Sequence, residues 1–184
     1  MKKIFLSLLL ITILILPVSA KMNADFIAKS GVLASPYLYF DGGNTQDVDL
    51  GFTLGGEIFI YPWKNIALGL GAMHLFKTDI ENTGQKLSAT NIYLAAKPKL
   101  LLENKEIDSV YLIGQVGLSN ADIELIDASG LAGLYAAAGI GIEAKWLIVE
   151  ILYSYYNWAV SDNDNFSTAQ LYSLQLNLGY KFSI

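Results

Sequence analysis

The chain offers few groups able to make or break bonds. His74 is its only histidine, it has no cysteine, and its twelve other basic residues are all lysine. The missing thiols exclude disulfides, thiolate metal sites and cysteine nucleophiles. A hydrolytic or acyl-transfer centre would need His74 beside a serine and a carboxylate that orients the ring. Asp162-Asn163-Asp164-Asn165 sets oxygen ligands at alternate positions. It lacks the glycine and the bidentate glutamate of a calcium loop, so it reads as a solvated loop. No catalytic residue, metal site or cofactor site is assigned. Seven charges are more informative: Lys29, Glu57, Lys97, Lys99, Glu143, Glu150 and Lys181. Their meaning depends on the elements that carry them.

Those elements alternate with period two. From Gln170 to Ile184 the even positions carry Gln170, Tyr172, Leu174, Leu176, Leu178, Tyr180, Phe182 and Ile184, and the odd ones Leu171, Ser173, Gln175, Asn177, Gly179, Lys181 and Ser183. A helix would mix these sets, whereas a strand keeps one apolar and one polar face. Seven more segments follow the pattern: Ile27–Phe40, Leu50–Tyr61, Ile66–Lys77, Ser88–Leu102, Ser109–Ser119, Leu131–Ala144 and Leu147–Tyr156. In the first, Lys29 and Ser35 share the inward parity, and Ser30 and Pro36 fall outward. Connections alternate between short ones, at 62–65, 103–108 and 144–146, and longer polar ones, at 41–49, 78–87, 120–130 and 157–168. Short periplasmic turns and long outer loops around strands of about ten residues are the pattern of a transmembrane barrel. The expected fold is all-β: an eight-stranded antiparallel up-and-down transmembrane β-barrel.

Composition agrees. Residues 1–20 hold Lys2 and Lys3, an apolar run from Ile4 to Leu16, Pro17, and the small residues Val18-Ser19-Ala20. This is the form of a cleaved secretory signal peptide, leaving residues 21–184 as one barrel domain. Ten lysines then stand against seventeen acids, a net charge of −7. An acidic chain without basic clusters has no face for nucleic acid. Past the signal no run is long and apolar enough for a spanning helix. In lipid every backbone polar group must be paired, so only a closed barrel would cross.

Parity returns the argument to the seven charges. All share the inward face, and strand direction sets them all in the periplasmic half. An isolated buried charge is very costly, so opposite signs should pair. Glu57 and Glu150 are expected to meet Lys97 or Lys99, forming a structural plug. A gated conduction path is the sharper alternative. His74 has outward parity near the outer rim, beside Phe76, as an interfacial side chain. Aromatics gather near strand ends, as in membrane girdles. Tyr61, Trp63, Trp146, Tyr180 and Phe182 belong to the periplasmic interface. Tyr39, Phe40, Phe76, Tyr155, Trp158 and Tyr172 belong to the outer one.

The segments ALGLGAM (67–73), YAAAGIGIEAKW (135–146) and LQLNLGYKFSI (174–184) resemble the small eight-stranded outer-membrane barrel family that includes the OmpA transmembrane domain and OmpX. The resemblance implies an outer-membrane location among lipid and lipopolysaccharide. It also implies handling by the barrel-assembly machinery, which reads an aromatic terminal strand, here carrying Tyr180 and Phe182. The expected function is a non-enzymatic envelope or surface-interaction role, with the surface partner unspecified. The alternatives are an enzyme acting on lipid A or phospholipid, a small gated pore, and a periplasmic lipocalin-like ligand binder. Outer loops rich in acids, from Asp41 to Asp164, read first as solvated and mutually repelling segments, with divalent-cation bridges to lipopolysaccharide as the alternative.

Overall fold

The structure is a computed structural model, describing residues 24–40, 44–102, 106–124, 128–162 and 165–183. The signal read over residues 1–20 lies outside these, as do Asn163 and Asp164 of the acidic run. The described strands are β1 (Ala24–Phe40), β2 (Asn44–Asp47), β3 (Gly51–Trp63), β4 (Ile66–Ile80), β5 (Gln85–Leu101), β6 (Ser109–Ile123), β7 (Ala128–Ala144), β8 (Leu147–Asp162) and β9 (Asn165–Ser183). Each long strand pairs antiparallel with the next, and β1 pairs with β9, which closes the sheet. Short β2 pairs with β1 from Tyr37↔Asp47 to Phe40↔Asn44, above the last β1–β3 partner, Leu33↔Gly51. It is thus the upper piece of β3, and the barrel has eight staves. Closure leaves no edge among the eight long strands described, so the wall satisfies its own backbone hydrogen bonds.

One end carries both described termini and the tight turns at 64–65 and 145–146, and is called the lower end. Lys145 takes a positive φ of 53° in its turn. The opposite, upper end departs from the expectation of long loops. Strands β4 and β5 run on to a four-residue turn at 81–84, and β8 and β9 continue to Asp162 and Asn165. Staves of up to 19 residues exceed the ~9–11 needed to cross a bilayer. The surplus rises as a β-walled collar.

Alternation reverses sign in that collar. Over the middle of the barrel, apolar residues face outward: Leu94, Leu112 and Leu118 are each more than 60 % exposed. In the collar the apolar residues face inward. Leu38, Val48, Ile80, Leu87, Ile123 and Leu171 are buried there, and Lys86, Asn120 and Asp122 face out. Lipid rewards the first arrangement and water the second.

A bulge between Ala34 and Tyr37 corrects the reading of β1. Ser35 adopts φ 48°, the extra residue shifts the parity, and Ser35 turns outward while Pro36 turns in. Such a bulge is a local device for changing which face a strand presents.

Inward glycines seat aromatic rings from the adjoining strand. A Cβ on Gly71 would lie 2.5 Å from the Tyr93 ring, and one on Gly141 would press into the Tyr111 ring. The pairs sit directly opposite in register, Gly71↔Tyr93 and Tyr111↔Gly141. Gly69 beneath Phe59 and Gly133 beneath Trp158 repeat the arrangement. A barrel of eight strands has room only for packed side chains, and these hollows let large rings lie flat in it.

Candidate functional site

The lumen is the candidate site, and its layers can be followed upward from the lower end. Nearest the mouth, Glu143 of β7 receives Lys99 of β5 and Lys181 of β9, with Ser109 Oγ at 3.3 Å. Lys99 also donates to Tyr61 Oη at 3.2 Å, and Tyr61 donates to Asp25, which Ser183 caps at 2.7 Å. This cluster lines a vestibule of 660 Å³ that opens downward between Pro62, Trp63 and Lys64.

Above it lies a closed ring of four fully buried charges. Lys29 stands 2.6 Å from Glu57 and 2.5 Å from Glu150. Lys97 stands 3.3 Å from Glu57 and 2.9 Å from Glu150. Signs alternate around the ring and sum to zero, so each charge left by water is met by two of opposite sign. Neutral donors complete the carboxylates. Glu57 Oε1 accepts from Tyr93 Oη at 3.0 Å and Gln115 Nε2 at 2.9 Å, and Glu150 Oε1 from Tyr111 Oη at 2.7 Å. The Lys97 ammonium sits 4.1 Å from the centre of the Phe59 ring, a cation–π contact in a buried site. Extra hydrogen bonds of this kind offset the desolvation of a buried ion pair.

Two of the seven charges thus pair differently from the reading of the sequence. Lys99 reaches Glu143, not Glu57 or Glu150. Lys29 is the second cation of the ring. Tyr93, Tyr111 and Gln115 complete the ring without standing out in the sequence. Each shares the inward parity of its strand, which is the only signal a neutral side chain offers.

Above the ring come neutral polar groups. Tyr135 donates to Gln115 Oε1 at 2.7 Å, and Ser154 meets Ser173 at 2.7 Å. Tyr93, Tyr135, Tyr156 and Trp158 form a ladder of tilted rings with centroids 5.1–5.4 Å apart. Trp158 is fully buried and donates Nε1–H to Ser119 Oγ at 2.9 Å. Its assignment to the outer girdle is therefore corrected: β8 continues past Tyr156 without a break, and its even positions face inward. Phe40 and Tyr61, also assigned to the girdles, pack against the inner core instead, and Tyr61 turns its hydroxyl to Asp25 and Lys99. The apolar collar closes the top.

On the outer wall, Trp63, Trp146, Tyr180 and Phe182 are exposed at the lower end, with Trp146 and Tyr180 5.2 Å apart. Toward the upper end, Tyr172 stacks on Tyr37 at 5.0 Å and lies tilted against Tyr155 at 4.9 Å. His74 stands on this outer wall, its Nδ1 2.9 Å from Thr90 Oγ1 and its ring edge-on to Phe76. Neither a serine nor a carboxylate is its partner among the described contacts. Groups of three or more His, Cys, Asp or Glu able to hold a metal do not occur among the described residues.

Among solved structures, Neisserial surface protein A is 12 % identical, with 86 % of this chain and 99 % of that one aligned at a TM-score of 0.56. Ail, the attachment invasion locus protein of Yersinia pestis, is 16 % identical over 87 % of this chain and 99 % of that one, at a TM-score of 0.50. No protein-family model matches the chain, and no curated protein matches it in sequence. At these identities the likeness is one of fold. The closed antiparallel wall, the apolar outer face and these two likenesses agree: the chain has the fold of the small eight-stranded outer-membrane β-barrels.

Proposed function

We propose that this protein is a non-enzymatic outer-membrane barrel that spans the membrane as a closed rod and presents its collar to the cell exterior. The filled lumen carries this reading. A neutral charge ring, a ladder of aromatic rings and an apolar collar succeed one another along the axis. That sequence serves rigidity better than passage, because an ion entering from below would have to part a buried salt bridge and then cross an apolar layer. Export begins with the signal at residues 1–20, and the assembly machinery inserts the barrel. Outer-membrane lipid and lipopolysaccharide surround the wall, and nucleic acid is no partner.

The names of the two similar structures, a surface protein and an attachment protein, direct attention to the collar as the interacting part. The enzyme reading loses support because His74 meets Thr90 and Phe76 instead of a serine and a carboxylate. The test joins membrane fractionation to planar-bilayer recording. The protein should float with outer membranes, migrate differently on gels before and after boiling, and pass no steady current. A stable soluble monomer without detergent would replace this reading with the lipocalin-like one. A steady conductance would replace it with the pore.

A further inference from the structure

Midway up the lumen, between the charge ring and the Trp158 layer, lie four buried polar side chains. Thr53 and Asn177 sit directly opposite Gly31 on its two neighbouring strands. A Cβ on Gly31 would overlap Asn177 Oδ1 and lie 2.8 Å from Thr53 Oγ1, so both atoms crowd over that glycine. Asn91 lies opposite Met73 in register, and Gln175 Nε2 donates to Met73 Sδ at 2.9 Å and to Asn177 Oδ1 at 2.8 Å. Each of the four residues is at least 97 % buried. Each also keeps one polar atom without a partner: Thr53 Oγ1, Asn91 Oδ1, Gln175 Oε1 and Asn177 Nδ2. Exchanging the amide O and N of Gln175 and Asn177 together preserves their mutual bond and still leaves one atom of each unpaired.

We propose that the middle of the lumen is a hydration site, a cluster of ordered water held by Thr53, Asn91, Gln175 and Asn177. Four orphan polar atoms would be costly in a dry interior, since each forfeits its hydrogen bonds to solvent. The set holds both acceptors and donors and carries no charge. The ring beneath it is already neutral, so no ion is called for. Water, which donates and accepts in pairs, matches the set. The site is shut below by the Lys29–Glu57 and Lys97–Glu150 pairs and above by Tyr156 and Trp158, so its water exchanges slowly with bulk. A wet middle between two seals also explains why polar side chains persist at a level of the barrel where apolar ones would pack.

Two measurements test the site on the whole barrel folded in micelles of deuterated detergent. Proton NMR should give water cross-peaks of slow-tumbling sign at the side-chain amides of Asn177 and Gln175. The absence of such peaks at both, with both amides assigned, overturns the proposal. Thr53→Val keeps the shape and removes the hydroxyl. A wet site predicts a roughly fivefold fall in the folding equilibrium constant, because a hydrogen bond to water is lost, and Thr53→Ser should stay near the parent. A constant that is unchanged or raised in Thr53→Val overturns the proposal, since removing an orphan hydroxyl from a dry interior is neutral or stabilising. If Thr53→Val does not fold, the cross-peaks of the parent protein decide alone.

Discussion

Glu57→Gln is the most searching perturbation of the charge ring. In the parent, the Glu57 carboxylate answers Lys29 and Lys97 and accepts from Tyr93 and Gln115. With a neutral amide in place of that carboxylate, two buried lysines share the single carboxylate of Glu150, and the ring carries an uncompensated positive charge. Removing one partner of a buried pair costs about 3–5 kcal/mol, or roughly two to nearly four decades in the folding constant. Adding Lys97→Met removes the surplus charge and leaves the Lys29–Glu150 pair at 2.5 Å, so part of the loss should return. Adding Lys99→Met should return nothing, because Lys99 answers Glu143 in the separate lower cluster. The assay is urea unfolding of the barrel in micelles, followed by tryptophan fluorescence, for the single and double variants. Neighbours in one network couple by roughly 0.5–3 kcal/mol. Additive losses for Glu57 with Lys97, or equal coupling to Lys97 and Lys99, would refute the ring as described.

Three further outcomes follow from the packing. Trp158→Ala should cost about 3–5 kcal/mol in the same unfolding assay, whereas exposed Trp63→Ala should cost far less; equal losses would return Trp158 to the girdle. Gly71→Ala should destabilise by about 1–3 kcal/mol through contact with the Tyr93 ring, and the penalty should shrink in a Tyr93→Leu background; a penalty independent of residue 93 would refute the seating of ring on glycine. His74→Ala should leave any lipid-modifying activity of purified barrel unchanged, as measured by mass spectrometry of lipid A and phospholipid; loss of such activity with the barrel intact would restore the enzyme reading.

Much of this architecture can be read from the chain itself. Strict alternation, as in Tyr172–Phe182, assigns each side chain to a face, because successive Cβ atoms in a strand point to opposite sides. Parity alone therefore sends Lys29, Glu57, Lys97, Lys99, Glu143, Glu150 and Lys181 to one interior, and eight alternating segments dictate the stave count. Parity carries no information about partners. Which lysine meets which glutamate depends on shear between strands far apart in sequence, such as Lys29 and Glu150, 121 residues apart. Only closure of the barrel brings β1 beside β9 and sets Lys29 across the lumen from Lys97. The same holds for Gly71 under Tyr93, a pairing that exists only once register is established. The bulge at Ser35 and the collar escaped the sequence for a different reason. An extra residue reverses parity without altering composition. Above the membrane the solvent changes from lipid to water, so apolar residues such as Leu87, Ile123 and Trp158 turn inward and the outward face reads as a polar loop. The alternation persists there, but the solvent that gives it meaning is known only from the height of each residue along the barrel.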